Sequence, residues 1–192
     1  VDHVAGLLSM RESQAFVLWG TRRVLGLLAE NPIFGALNPD FVRRQAFALG
    51  EPIELAGSGG PLGLAMTAFA VPGKVPLFLE GRDSQHLSGT AEDTIGLEIT
   101  TESAKLHFIP GCARMTPELE DRLRGSALVF FDGTLWSDDE LVRLGISHKT
   151  GQRMGHMSIN GGSGTLGAFE RIDVRRKIFI HVNTTNPLLE ED

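Results

Sequence analysis

Short apolar runs alternate with amphipathic segments along most of this chain. The runs are rich in β-branched and aromatic residues and predict strands at residues 15–19, 62–71, 94–99, 105–109 and 127–131, with a last strand beginning at 178. The amphipathic segments predict helices at residues 21–30, 116–124, 137–144 and 165–170, after a short apolar helix at 6–10. This alternation is typical of the layered α/β (α+β) fold class.

Turn-forming residues separate these elements. Residues 57–61 read GSGGP and predict a hairpin turn, and residues 71–76 read VPGKVP and predict a rigid turn that projects Lys74. Residues 39–55 have a mixed pattern, for which we expect a short helix and a strand. Residues 151–164 are rich in Gly, Ser and Asn and predict a loop that carries His156, while His86 is interpreted as another loop histidine.

The charge, the lengths of the apolar runs and the cysteine count exclude several classes of protein. The net charge is −6, with 18 Lys and Arg against 24 Asp and Glu, so a nucleic-acid partner is not expected. No apolar run approaches the roughly 18 residues of a membrane span, which predicts a soluble protein. The single cysteine, Cys112, excludes a disulfide or a cysteine-cluster zinc site within these residues. It also fits a reducing compartment, for which we expect the cytoplasm.

The length and the first residues bear on domain organisation. A chain of 192 residues is long enough for one domain with a sizeable core. It begins at Val1, Asp2 and His3, without an initiator methionine and with ligand-type side chains ahead of any predicted strand. We therefore expect a segment of a longer protein, in the form of a single partial domain over residues 1–192.

Two residues at strand ends suggest a functional site. Asp132 follows the apolar run 127–131, and a buried carboxylate needs a partner. That partner is either the backbone of its own Asp-Gly-Thr turn or a metal or substrate proton. His181 lies in the last strand before a turn of Asn, Thr and Pro residues, where it is either a metal ligand or base, or a core histidine.

Five further residues have both a chemical and a purely structural interpretation. Asp2 and His3 are metal ligands at a strand-to-helix turn, or part of a frayed terminus. Lys74 orients an anionic substrate, or is a solvated lysine in a tight loop. Cys112 is a ligand or reactive thiol, or a small buried apolar group, and His156 is a site residue, or a helix-capping or surface residue. Because strand ends on one edge of an α/β sheet converge, the set as a whole favours one site.

Six motifs resemble those of the coenzyme PQQ synthesis protein B family, in order and along nearly the whole chain. They are VDHVAGLL at 1–8, VPGKVP at 71–76, IPGCA at 109–113, FDGT at 131–134, KTGQRMGH at 149–156 and HVNTTNP at 181–187. Because that family belongs to the metallo-β-lactamase superfamily, the resemblance implies an αββα sandwich with metals at strand ends along one edge. It also implies further sequence at both ends, including cysteines that hold a structural zinc outside this segment.

The resemblance also implies a ligand set. Asp2 and His3 are similar to the end of the superfamily's HxHxDH motif, and His181 is similar to its last metal histidine. Hydrolytic relatives carry a histidine near Lys74 and a metal-bridging aspartate near Cys112, so the resemblance implies that a two-zinc hydrolase site is lost. Two histidines and one carboxylate are the ligands of non-haem Fe(II) oxygenases. We expect Fe(II) at this site, with Zn as the alternative metal.

The activity that the resemblance implies is an iron- and O2-dependent hydroxylation in pyrroloquinoline quinone (PQQ) biosynthesis. The substrate would be a small, peptide-derived intermediate in which Glu and Tyr are cross-linked. Asp132 and His156 would handle protons or orient the metal ligands, and Lys74 would hold a substrate carboxylate. Two alternatives stay open: a zinc-dependent hydrolase of the same superfamily, and a soluble carrier in the transport of PQQ or its precursor to the periplasm. The resemblance leaves a homodimer open.

Overall fold

The structure is a computed structural model that describes residues 2–10, 15–74 and 91–190, with side chains from Val4 onward in the first range. The chain forms two compact units, Val1–Glu51 and Pro52–Asp192. The predicted loop histidine His86 lies outside the described residues. The expectation of a single domain stays a prediction.

The first unit contains a small parallel sheet and helical segments. Its elements are a 3-10 helix Asp2–Met10, strand β1 Phe16–Gly20, helix α1 Arg22–Glu30, a 3-10 helix Pro32–Ala36 and strand β2 Val42–Ala46. Helix α1 begins where Thr21 Oγ1 accepts a hydrogen bond from the Val24 N–H at 3.2 Å. Buried apolar residues form the core of this unit, namely Leu28, Phe34, Leu37 and Val42.

The second unit is built on a six-stranded sheet. Its strands, in the order in which they pair, are β3 Pro52–Gly57, β4 Gly60–Ala70, β5 Ile95–Thr100, β6 Lys105–Ile109, β7 Leu128–Asp132 and β8 Lys177–Ile180. Its helices are α2 Pro117–Leu123, α3 Glu140–Arg143, α4 Gly151–Met154 and α5 Thr165–Phe169, with a 3-10 helix Pro187–Leu189. Strands β3 to β6 pair antiparallel, whereas β6, β7 and β8 pair parallel, so the last three end at one edge of the sheet.

The parallel strands are anchored by an apolar core. Ile109, Val129 and Phe131 are at most 1% exposed, as expected for strands covered on their faces. Phe131 meets Phe169 of α5 edge to face, with ring centroids 5.2 Å apart. Leu123 of α2 joins the same cluster. Each such side chain contributes roughly 1.5–3 kcal/mol by burial, which holds the strand ends in fixed positions.

The predicted elements correspond in large part to the observed ones, but two predicted segments take a different form. Residues 39–55 were expected to contain a short helix, but the structure forms the two strands β2 and β3 there. The predicted loop 151–164 begins with the one-turn helix α4, because Thr150 Oγ1 accepts from the Arg153 N–H at 3.4 Å and caps it. Within the described ranges, no helix has the length and apolar character needed to cross a membrane.

Candidate metal centre

The end of β7 brings a carboxylate and a hydroxyl to the edge of the sheet. Asp132 is fully buried and is followed by Gly133 and Thr134. The Gly133 N–H donates to the Ile180 carbonyl at 2.8 Å. A Cβ on Gly133 would lie 2.8 Å from the Phe179 Cβ, so this close approach to β8 requires glycine.

The end of β8 brings His181 to the same place. His181 has a φ of +59°, in the left-handed region that a non-glycine residue rarely adopts, and this turns the chain directly after the strand. The loop that follows is held on the β7 turn. The Asn183 N–H donates to the Thr134 carbonyl at 3.1 Å, and the buried Asn186 side chain donates to the Gly133 carbonyl at 3.0 Å.

His156 comes from the segment after α4. Gly155 ends that helix with a φ of +89°, and the His156 N–H donates to the Gly151 carbonyl at 2.9 Å. The Met157 N–H donates to the Cys112 carbonyl at 2.7 Å, which ties this segment to the end of β6. The rings of His156 and His181 lie with centroids 5.4 Å apart and are tilted by 33°.

The Asp132 carboxylate accepts hydrogen bonds on both oxygens. Oδ1 accepts from the Thr134 hydroxyl at 2.6 Å and from the Thr134 backbone N–H at 3.1 Å. Oδ2 accepts from the Cys112 backbone N–H at 2.9 Å and lies 2.8 Å from His156 Nδ1. The Asp-Gly-Thr turn is therefore a partner of this carboxylate, as one of the two interpretations predicted, and the histidine is another.

The imidazoles of His156 and His181 both lie within hydrogen-bonding distance of the Thr134 hydroxyl. Thr134 Oγ1 lies 2.8 Å from His181 Nδ1 and 3.1 Å from His156 Nδ1. One ligand atom each of Asp132, His156 and His181 lies within 4.8 Å of the others, a spacing that could hold one cation. Imidazole and carboxylate donors suit Zn²⁺ and Fe(II), and histidines that bind metals usually donate their other ring N–H to an oxygen acceptor. The residues present therefore fit a metal ion.

Cys112 is a structural residue in this arrangement. Its side chain is fully buried, and its Sγ donates to the Arg114 carbonyl at 3.2 Å. Burial raises the pKa of the Cys112 thiol to about 12, and the negative charge of Asp132 adds to the shift. A buried thiol in this state is a poor nucleophile at neutral pH, which favours the interpretation as a small buried group.

Three residues predicted for the site have roles that stay predictions. Lys74 is half-buried, and a Cβ on Gly155 would lie 3.0 Å from its Cγ, so its stem packs beside the segment that carries His156. Asp2 and His3 belong to the first 3-10 helix, but their side chains lie outside the described residues. Their assignment as metal ligands therefore rests on the resemblance.

Thr134 is the residue that sequence reasoning missed. Its hydroxyl lies within hydrogen-bonding distance of Asp132, His156 and His181. The sequence contains one signal for it, a threonine two residues after an aspartate at the end of an apolar strand. That pattern predicts a hydrogen bond inside the turn, but it does not indicate that two histidines share the hydroxyl.

The family of the chain follows from a domain model and from two kinds of relatives. The model described as "Beta-lactamase superfamily domain" matches residues 1–182. The "Coenzyme PQQ synthesis protein B" of Xanthomonas oryzae pv. oryzae (strain MAFF 311018) is 60% identical over 98% of this chain and 61% of that protein. The protein of the same name from Gluconacetobacter diazotrophicus is 56% identical over 100% of this chain and 63% of that protein.

A solved structure supports the fold. The 1.98 Å crystal structure of Zn²⁺-bound PqqB from Methylobacterium extorquens matches with a TM-score of 0.90 and 44% identity, over 100% of this chain and 62% of that chain. The predicted metallo-β-lactamase fold and the predicted resemblance to PQQ synthesis protein B are confirmed. The chain spans about 61% of the length of the first of these curated relatives. It belongs to the beta-lactamase superfamily and is similar, over nearly its whole length, to the members named coenzyme PQQ synthesis protein B.

Proposed function

We propose that this chain is part of a cytoplasmic PQQ-biosynthesis enzyme that uses Fe(II) and O2 to hydroxylate a tyrosine-derived, peptide-derived precursor. The observation that carries the proposal is the convergence of Asp132, His156 and His181 at the edge of the sheet. The similarity to proteins named coenzyme PQQ synthesis protein B supports the pathway. His181 belongs both to this cluster and to the ligand set that the resemblance implies.

The residues of the chain have distinct tasks in this proposal. Bound Fe(II) would supply the activation of O2, from which one oxygen atom would enter the aromatic ring while the other would leave as water with two electrons from an external reductant. His181 would hold the metal, with Asp2 and His3 as the further ligands that the resemblance implies. His156 would accept a proton at Nε2, since its Nδ1 faces the Asp132 carboxylate at 2.8 Å. Lys74 would bind a substrate carboxylate.

Zinc-dependent hydrolysis is the competing function. It is favoured by one observation, the Zn²⁺ bound to the similar PqqB from Methylobacterium extorquens. Zinc binds most nitrogen and oxygen sites more tightly than iron does, and the same ligands can activate water. Metal affinity therefore cannot distinguish an oxygenase from a hydrolase, and the reaction that the protein catalyses has to be measured.

Oxygen consumption by the protein that carries this chain separates these functions. The protein is loaded with Fe(II) without oxygen, mixed with the cross-linked Glu-Tyr substrate and a two-electron reductant, and then exposed to O2. We expect O2 uptake that matches the amount of hydroxylated product. The His181→Asn variant should lose this uptake, because asparagine tolerates the left-handed backbone but removes the imidazole. The exposed His148 provides the control, and His148→Asn should keep the uptake.

Two results would contradict the proposal. Hydrolysis by the zinc-loaded protein, without O2 uptake by the iron-loaded one, would identify a hydrolase. Binding of the precursor or of PQQ that neither turns over nor depends on His181 would identify a carrier.

A further inference from the structure

The hydrogen bonds around Asp132 occupy the acceptor positions of this carboxylate and tie it to three neighbouring residues. Two oxygens of an ionised carboxylate have about four lone-pair positions. Four contacts use them: the Thr134 hydroxyl and N–H on Oδ1, and the Cys112 N–H and His156 Nδ1 on Oδ2. Asp132 is also fully buried. This arrangement is that of a carboxylate that orients its neighbours.

The positions of the protons follow from these contacts. The Thr134 hydroxyl has one proton, and the shortest contact, 2.6 Å to Asp132 Oδ1, takes it. Thr134 Oγ1 is then an acceptor toward His181, so the His181 nitrogen at 2.8 Å must carry the proton. An ionised carboxylate only accepts hydrogen bonds, so His156 Nδ1 carries the proton that is donated to Asp132 Oδ2. The lone pair of each neutral imidazole is then on Nε2.

We propose that Thr134 is a positioning residue: its hydroxyl, itself fixed by Asp132, holds His181 in the Nδ1–H tautomer and so presents Nε2 as the metal-binding nitrogen. This inference rests on the metal-binding part of the proposed function and not on iron, O2 or the substrate. An oxygen acceptor behind a ligating histidine fixes the ring orientation and makes the imidazole a stronger ligand. His181 needs such support, because it is an exposed residue on a loop with a strained backbone.

A pair of substitutions separates the hydroxyl from the shape of the side chain. Thr134→Val keeps the shape and removes the hydroxyl, whereas Thr134→Ser keeps the hydroxyl. Two quantities are measured: the ¹⁵N chemical shifts of the His181 ring in the metal-free protein, and the affinity for Zn²⁺ as the probe cation. The first reports the tautomer without any metal, so it does not depend on the enzyme's activity.

We expect wild type and Thr134→Ser to show His181 as the Nδ1–H tautomer. Thr134→Val should show a mixture of tautomers and should bind Zn²⁺ about 10–100-fold more weakly, the usual effect of removing such a partner. Thr134→Ser should stay within about 3-fold of wild type, since it restores the acceptor oxygen.

The outcomes separate this inference from the proposed function. If O2 uptake is absent but the tautomer and affinity change as expected, the role of Thr134 stands and the oxygenase proposal fails. If wild-type His181 is found as the Nε2–H tautomer, the inference is wrong, and this result needs no variant to fold. Equal Zn²⁺ affinities of wild type and a folded Thr134→Val would also overturn it.

Discussion

Cys112 illustrates how burial decides the chemistry of a single residue. From sequence this residue has two interpretations, as a reactive thiol or as a small apolar group. The structure places it in the core with Ile109 and Phe131, and burial raises its pKa to about 12. Because reaction requires the thiolate and access to solvent, the native protein should protect this thiol.

A disulfide reagent tests this protection directly, since the chain has one cysteine. At pH 8 we expect Cys112 to react at least about 100-fold more slowly in the native chain than in urea, which corresponds to an opening free energy of roughly 3 kcal/mol. Introducing an exposed thiol by Ser163→Cys provides the control, and that thiol should react rapidly in the native chain. Equal rates for the two thiols would mean that Cys112 is accessible.

The candidate site could be predicted in part at this scale. Asp132 and His181 follow apolar runs, and the ends of parallel strands meet at one edge, so their convergence is foreseeable. The role of Thr134 could not be predicted, because it depends on distances of 2.6–3.1 Å to three side chains from separate segments. Asp2 and His3 were assigned through motif resemblance, and that part of the prediction stays open.

The elements that were predicted best are those with near-continuous apolar runs. Strands β6 and β7 pair parallel and bury Ile109, Val129 and Phe131, and the apolar residues of these strands give a strong sequence signal. Helix α4 has four residues, Gly151–Met154, which are too few for a helical period to appear. Strand β2 contains Arg43 and Arg44 and is defined by its pairing with β1, which its composition does not indicate.

The contact between β7 and β8 determines the geometry of the candidate site. Gly133→Ala should destabilise the protein by about 1–3 kcal/mol, because its new Cβ would overlap Phe179 and approach the Ile180 carbonyl. It should also weaken Zn²⁺ binding, since Asp132 and Thr134 would move away from His181. Urea unfolding and zinc titration measure the two effects.

Helix α5 offers a matched glycine for comparison. No atom lies within 4 Å of the position that a Cβ on Gly167 would take, and the residue is inside the helix. Gly167→Ala should therefore stabilise the protein by roughly 0.5–1 kcal/mol and leave zinc affinity unchanged. If Gly133→Ala behaved in the same way, the close approach of β7 to β8 would not be needed.

At the scale of the whole molecule, a buried polar network lies within the second unit, among β5, β6 and α2. His107 is fully buried, with Nε2 2.9 Å from Glu98 Oε2 and Nδ1 2.9 Å from Ser126 Oγ. Arg122 of α2 lies 3.6 Å from the same Glu98 oxygen. Burial lowers the pKa of His107, with smaller contributions from the positive charges of Lys105 and Arg122, and Glu98 opposes this shift. Burial and Glu98 therefore act on the pKa of His107 in opposite directions, and burial is the larger effect.

This network makes the stability of the chain depend on pH. The His107 pKa is lower in the folded state than the ordinary value of 6.5, so the unfolded chain binds the proton first as the pH falls. The free energy of unfolding should fall from pH 7.5 to 5.5, by at most about 1.4 kcal/mol per pH unit from this residue. Urea unfolding of wild type and His107→Gln isolates its share, because the other histidines are common to both. A wild type that gains stability relative to the variant at pH 5.5 would show that the charge of Glu98 outweighs burial.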